Sequence, residues 1–328
     1  MGNATLAKAC QSPRIVMSSS PQMPSMPRFR PTKVQMIAAA LSLGVLASPN
    51  LACATALDLF FERALMVAAN DRCGLFTPPI AVALTEAKAQ ARGASLRSGV
   101  EEDRLVIVEQ QAATRAGSVD CSSRDLGIAA GRVRQAFAAF SRLTSVDYPG
   151  EVASWRAQHV APAAGQAGWG LMQSTRFGWD QLTFGVAVAG NARPMIAVAT
   201  FADGARPYAA RLVMRDRARA PRPYLDQRLA GVTGIIPLAR RLPPSFATQS
   251  FSAEARSAAG RDLLPTDIES GLAYRFPAAA VEAMRRLDPR EAVAVEFVFA
   301  GERGDVVRTA YVEVSDFAAG RAFLDLPR

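Results

Sequence analysis

Hydrophobic and polar positions follow two different patterns along this chain. From Leu57 to about Leu143, apolar residues recur every three or four positions, the spacing that gives a helix one buried face. Leu59, Phe60, Ala64, Leu65, Ala68 and Ala69 form the first such stripe, and Asn70, Asp71 and Gly74 stop it. Pro78 and Pro79 suit the first turn of a second helix carrying Ile80, Leu84, Ala87 and Ala91, with Gly93 and Gly99 bracketing its end. A third helix is predicted from about Val100 through Leu105, Val108 and Ala112 toward Gly117. Ser122 or Ser123 caps a fourth, with Asp125 in its first turn and Leu126, Ala130, Val133, Phe137 and Phe140 on its inner face.

From Trp169 the pattern changes to short runs of strand length. Trp169 to Phe177 and Leu182 to Ala189 flank Gly178. Met195 to Phe201 and Tyr208 to Met214 flank an Asp203-Gly204 turn. Five prolines between Pro221 and Pro244 break up the stretch from Arg217 to Gln249, leaving one short strand at Ile235-Ile236, and Phe251 to Leu264 is ambiguous. Leu272 to Phe276 then reads as a strand, Pro277 to Leu287 as a helix, Ala292 to Phe299 and Val306 to Val314 as a hairpin, and Phe317 onward as a helical turn. Between the two patterns, Pro149-Gly150, Pro162, Gly165 and Gly168 mark a joint with a short helix over Glu151 to His159. The expected class is therefore α+β: a helical bundle over 57–147, a linker over 148–168, and an antiparallel, sandwich-like β-rich domain over 169–328 with a C-terminal strand-helix-hairpin.

Residues 1–56 are set apart. Arg28, Arg30 and Lys33 precede an apolar run from Val34 to Ala47, then Pro49 and two small-x-small sites, Ala52-Cys53-Ala54 and Ala54-Thr55-Ala56. This is the build of a secretory signal peptide, and the run is too short to span a bilayer as a helix. The expected start is Met26, and the mature chain begins near Leu57. A lipid anchor on Cys53 is the rival, but Asn50 stands where a lipobox usually has Leu. Export to the periplasm, or secretion, follows.

Removing this segment changes the charge. It holds five of the 38 bases (Lys8, Arg14, Arg28, Arg30, Lys33) and no acid, so 33 bases face 29 acids and the remainder carries +4. That is a mildly basic surface rather than a nucleic-acid-binding one. No later apolar run is long enough to span a membrane. Cys73 and Cys121 are the two cysteines left, and in an oxidising compartment they form a disulfide.

Candidate chemistry is sparse. His159 is the only histidine, so a His-rich metal site is excluded by count, and no G-x-S-x-G elbow accompanies it. No cofactor motif stands out. Asp180, Asp203, Asp226, Asp262, Asp267 and Glu269 sit in or beside loops and could supply a carboxylate pair. Trp155, Trp169 and Trp179 gather near the joint, where they could floor a sugar cleft or seal a domain interface. The most suggestive feature is the row Arg215, Arg217, Arg219 and Arg222. If the strand continues past Met214, the first three share a face at about 6.6 Å spacing and suit phosphate or carboxylate. The competing reading is a charged edge strand that discourages sheet-to-sheet pairing.

The order from Leu272 to Leu324 resembles the C-terminal part of invasion-associated locus B proteins, small exported β-rich proteins of alphaproteobacteria. The resemblance rests on Phe276-Pro277, Val281 and Met284, Val295 and Phe297, a Gly turn, and Val314-Ser315-Asp316-Phe317-Ala318-Ala319. It implies an exported β-domain and no active-site residues. The expected function is a non-catalytic periplasmic envelope protein that binds an anionic envelope component or a protein partner. The alternative is a carboxylate-dependent hydrolase acting on envelope glycan or peptide.

Overall fold

The computed structural model describes residues 55–225, 227–230 and 234–326. The signal-like segment with Cys53, and also Asp226, lie outside the described residues. Thr55–Arg328 forms one compact unit.

Helix α1 (Ala56–Cys73) starts on a capping box. Thr55 Oγ1 accepts from the Asp58 N–H, and the Asp58 carboxylate accepts from the Thr55 N–H at 3.0 Å. It ends at Gly74, whose φ of 63° is left-handed and whose N–H donates to Asn70 O. α2 (Pro78–Arg97) opens on its two prolines and runs through Gly93 rather than ending there. α3 spans Glu102–Ser118 and α4 spans Arg124–Phe140. Phe60, Leu96 and Leu105 fill one core between the helices, and Met66, Leu84 and Leu126 another. The expected Cys73–Cys121 disulfide is present, with the Cα atoms 5.7 Å apart; it ties the end of α1 to the turn before α4.

The remaining elements build two antiparallel sheets. β1 (Ser145–Tyr148), β2 (Trp155–Gln158), β3 (Gly168–Phe177), β4 (Asp180–Val188), β5 (Met195–Thr200), β8 (Ala255–Ala258) and β9 (Leu272–Phe276) form one, ordered β1-β2-β3-β4-β5-β9-β8. β6 (Ala209–Arg215), β7 (Thr248–Ser252), β10 (Ala292–Gly301) and β11 (Gly304–Glu313) form the other, ordered β11-β10-β6-β7. Phe184, Leu212, Tyr274, Phe297 and Phe317 are among the buried residues of their common core. α5 (Ala278–Arg285) and α6 (Phe317–Leu324) complete the predicted C-terminal strand-helix-hairpin and its closing turn. Phe140 of α4 meets Phe323 of α6 edge-on at 5.4 Å, so the helices share the apolar core of the sheets.

Two expectations about the elements are corrected, and one open stretch is assigned. The stretch from Glu151 to His159 is not helical: Trp155–Gln158 is β2, paired to β1 and β3. Burial of Trp155 and Ala157 around an exposed Arg156 is a strand period, too short at four residues to be read from sequence. Ile235-Ile236 is not a strand, and the ambiguous stretch after Phe251 holds the end of β7, all of β8 and a 3₁₀ turn at Arg261–Leu263.

The disulfide closes a 48-residue separation, worth about 4 kcal/mol in the chain-entropy account. Replacing both Cys73 and Cys121 by Ser is expected to lower the urea midpoint clearly, and dithiothreitol should lower the wild type to match. Equal midpoints for oxidised wild type and variant would contradict this.

Candidate functional site

The arginine row does not form one face. β6 ends at Arg215, whose side chain turns inward and is only 3% exposed. Its Nε and Nη2 donate to the two oxygens of Glu291, the second at 2.8 Å, and Nη1 donates to Ala220 O and Pro221 O. This clamp folds the following chain back. Residues 217–219 make a turn, in which the Asp216 carboxylate accepts from the Ala218 N–H and pairs with Arg219 at 3.2 Å. Arg217, Arg219 and Arg222 are exposed, but they share no strand with Arg215. The strand stops because a buried Glu291 captures the first guanidinium; a buried carboxylate outcompetes solvent for a planar two-donor partner.

The three tryptophans are also separated. Trp155 is fully buried, donating Nε1–H to Glu313 O and Val314 O and packing edge-on to Phe317. Trp169 lies in a second small core and donates to Leu263 O. Trp179 is 91% exposed. His159 packs its ring 4.4 Å from that of Phe323.

A buried polar junction joins the end of β11 to the middle of β3. Glu313 has no exposed surface, and its carboxylate accepts from the backbone N–H groups of Glu151, Val152 and Ala153 at 2.8–2.9 Å. Gly150 makes this turn feasible, because a Cβ there would sit 2.6 Å from Glu313 Oε2. The Gln173 side chain bonds both backbone groups of Glu313. Buried Arg241 places Nη1 3.8 Å from the Glu313 carboxylate. Its Nη2 lies 2.8 Å from Glu151, an ionic contact outside hydrogen-bond geometry.

Beyond this junction, a cleft of about 920 Å³ lies between β3 and β11. Thr175, Arg176 and Phe177 line one side, Arg308, Thr309 and Tyr311 the other, and Leu238 and Ala239 also border it. The β3–β4 turn is Gly178-Trp179, with Gly178 at φ 65° in the first central position, as a II′ turn requires. That geometry sets the Trp179 indole on the rim.

Arg308 is the polar anchor of the cleft. Nη1 donates to Asp180 at 3.1 Å and to Asp203 at 3.2 Å, Nη2 donates to Asp203, and the guanidinium lies 4.6 Å over the Phe299 ring. The hydrogen bond from Arg308, then that from the Ala205 N–H, pull the Asp203 carboxyl down to about 2. Asp180 is buried and accepts from the Ala202 N–H. The two carboxylates therefore grip one guanidinium, and Asp203 holds no proton to donate at neutral pH. The carboxyls that burial pushes upward, Glu86 and Asp316, pair with Arg285 and Arg97 and do not line the cleft. Asp262, Asp267 and Glu269 face solvent. Among the described residues, no three His, Cys, Asp or Glu side chains gather as a metal site, and no helix is long and apolar enough to cross a membrane.

Sequence reasoning named Trp179, Asp180 and Asp203 singly but missed Arg308, Tyr311 and the buried junction. The usable signal was a Trp in a two-residue turn. Comparisons of the chain with protein-family models, curated proteins and solved structures found no match.

Arg215→Ala leaves Glu291 buried without its partner and is expected to cost about 3–5 kcal/mol in urea unfolding. Arg217→Ala should stay within about 0.5 kcal/mol of wild type. Equal, small effects at both positions would contradict the assignment of Arg215 to the fold.

Proposed function

We propose that the protein is exported and binds a component of the cell envelope in the cleft beside Trp179, without catalysing a reaction on it. The observation that carries this reading is Trp179 itself. It stands 91% exposed on the rim of the cleft, with Tyr311 and Arg308 across from it. Large aromatics held on a rigid turn beside a concavity are the residues that anchor ligands, because covering them removes much apolar area from water at little cost in side-chain entropy. Arg308 and its carboxylates are already fixed by one another, so they can meet a polar ligand without further ordering.

The hydrolase alternative needs an acid able to give up a proton near neutral pH. Asp203 is held in the opposite state by Arg308. The anionic ligand expected from the arginine row loses Arg215 to the core, which leaves Arg217, Arg219 and Arg222 as exposed charges at a turn and beyond it.

Export is supported by the disulfide, a bond that persists in oxidising compartments. The helix cap adds a preference between the two cleavage sites. A cut after Ala54 leaves Thr55 to cap α1, whereas a cut after Ala56 removes both the cap and the first helical residue. The cap supports a mature N-terminus at Thr55. Intact-mass analysis of the periplasmic protein should give that start, and a start at Leu57 or a lipidated Cys53 would contradict it.

Binding is tested through tryptophan emission. Trp155 and Trp169 are buried, so acrylamide quenching reports chiefly on Trp179. A periplasmic protein fraction or a muropeptide fraction from the host is expected to shield that emission severalfold. The fluorescence of Trp179→Phe should be insensitive to both. Quenching of the wild type left unchanged by both fractions would remove the cleft as a ligand site.

A further inference from the structure

β11 is the outer strand of its sheet and pairs with β10 on one side only. In an antiparallel ladder, the N–H and C=O of one residue both face the partner strand, and those of the next both face away. Hydrogen bonds beyond the ladder set this phase. Val314, just past the strand, donates its N–H to Glu291 O on the β10 side. Glu313 faces outward, donating to Gln173 and accepting from Trp155 and Gln173. On β10, Val298 O accepts from the Tyr208 N–H on the β6 side, and Val307 is its register partner in β11. Val307, Thr309 and Tyr311 therefore point both backbone groups out of the sheet. No other described residue donates to these outward groups or accepts from them.

Sheet edges are normally blunted by a bulge, a proline or a free charge. β11 has none of these blunting features along this stretch. Its register with β10 is unbroken from Gly304 to Glu313, and it contains no proline. Arg308 is occupied by Asp180 and Asp203. Val306 and Val307 are 53% and 42% exposed. The open edge from Val307 to Tyr311 runs about 13 Å and borders the cleft opposite Trp179.

Building on the reading of this cleft as a ligand site, we infer that its ligand is an extended segment of an envelope protein, which adds to β11 as a fifth strand. The backbone of the guest satisfies the outward N–H and C=O groups, and its alternate side chains meet Trp179 and Tyr311, selecting apolar or aromatic residues at every second position. Arg176, exposed on the rim, favours a carboxylate in the guest. A glycan would use the aromatic surface and Arg308 but has no need of a row of alternating backbone donors and acceptors.

The test is a phage-displayed random heptapeptide library selected on the full mature protein, with the best sequence then synthesised. That peptide is expected to alternate apolar residues and to bind with a micromolar dissociation constant. Thr309→Pro removes an outward N–H without breaking a bond to β10 and should weaken binding at least about tenfold, while Thr309→Val, which keeps the N–H, should not. Should Thr309→Pro fail to fold, the same peptide N-methylated at alternate positions carries the test, with the same loss expected. Binding of the N-methylated peptide, or of the unmodified peptide to folded Thr309→Pro, within about twofold of the wild-type value would overturn the inference. So would a selection yielding no binder. Muropeptide binding that is lost in Trp179→Ala and unaffected by Thr309→Pro would overturn the peptide guest while leaving the cleft as a ligand site.

Discussion

The carboxylate of Glu313 has no contact with water, and much of the remaining structure depends on how it is satisfied. Burying a lone carboxylate costs several kcal/mol. Three consecutive backbone N–H groups, made available by Gly150, and the nearby guanidinium of Arg241 offset that cost. Gln173 and Trp155 bond the backbone at the same position, so the end of β11 is pinned to β3 and β2. One residue past Val314 the chain takes a left-handed turn at Ser315 (φ 41°), and Asp316 then reaches Arg97 of α2. The junction thus locks the two sheets together at one end and leads directly into the contact with the helices. Toward Phe177 and Arg308 the same two strands border the cleft instead of pairing.

Arginine chemistry recurs at several of the polar contacts that hold the fold. Arg215 and Arg241 are buried against carboxylates and carbonyls, and Arg308 ties the β10–β11 hairpin to the Asp180 and Asp203 turns. The planar, many-donor guanidinium suits this role, because one side chain can satisfy two acceptors in fixed geometry. These three arginines therefore act as structural ties, while most of the other described arginines are exposed or half-buried. The cleft that we propose as the ligand site is bordered instead by the exposed Trp179 and by a strand, β11, whose outer edge pairs with no other described strand.

The helices were legible because their period is local: the stripe through Phe60, Ala64 and Ala69 and the stop at Gly74 need no partner to be recognised. The pairing of Cys73 with Cys121 followed from count and compartment. β1 and β2 were not legible, because four residues such as Trp155–Gln158 become a strand only through partners elsewhere. Arg215 was misplaced because nothing near it in sequence announces Glu291, 76 residues away. The cleft was hidden for the same reason: Trp179 and Arg308 lie far apart along the chain, and long-range contacts such as that of Arg308 with Asp180 bring them together. Alternation within a strand was readable, but which strand would be left at an edge was not.

Hydrogen–deuterium exchange along β11, resolved amide by amide in the free protein, tests this account most directly. The Glu313 amide, bonded to Gln173, should exchange slowly, and so should the inward amides of Arg308 and Ala310 that face β10. The outward amides of Val307, Thr309 and Tyr311 should exchange orders of magnitude faster, giving an alternating profile that stops at the junction. Uniform protection from Val307 to Glu313 would mean that the edge is already covered, and the open seam between the sheets would not exist.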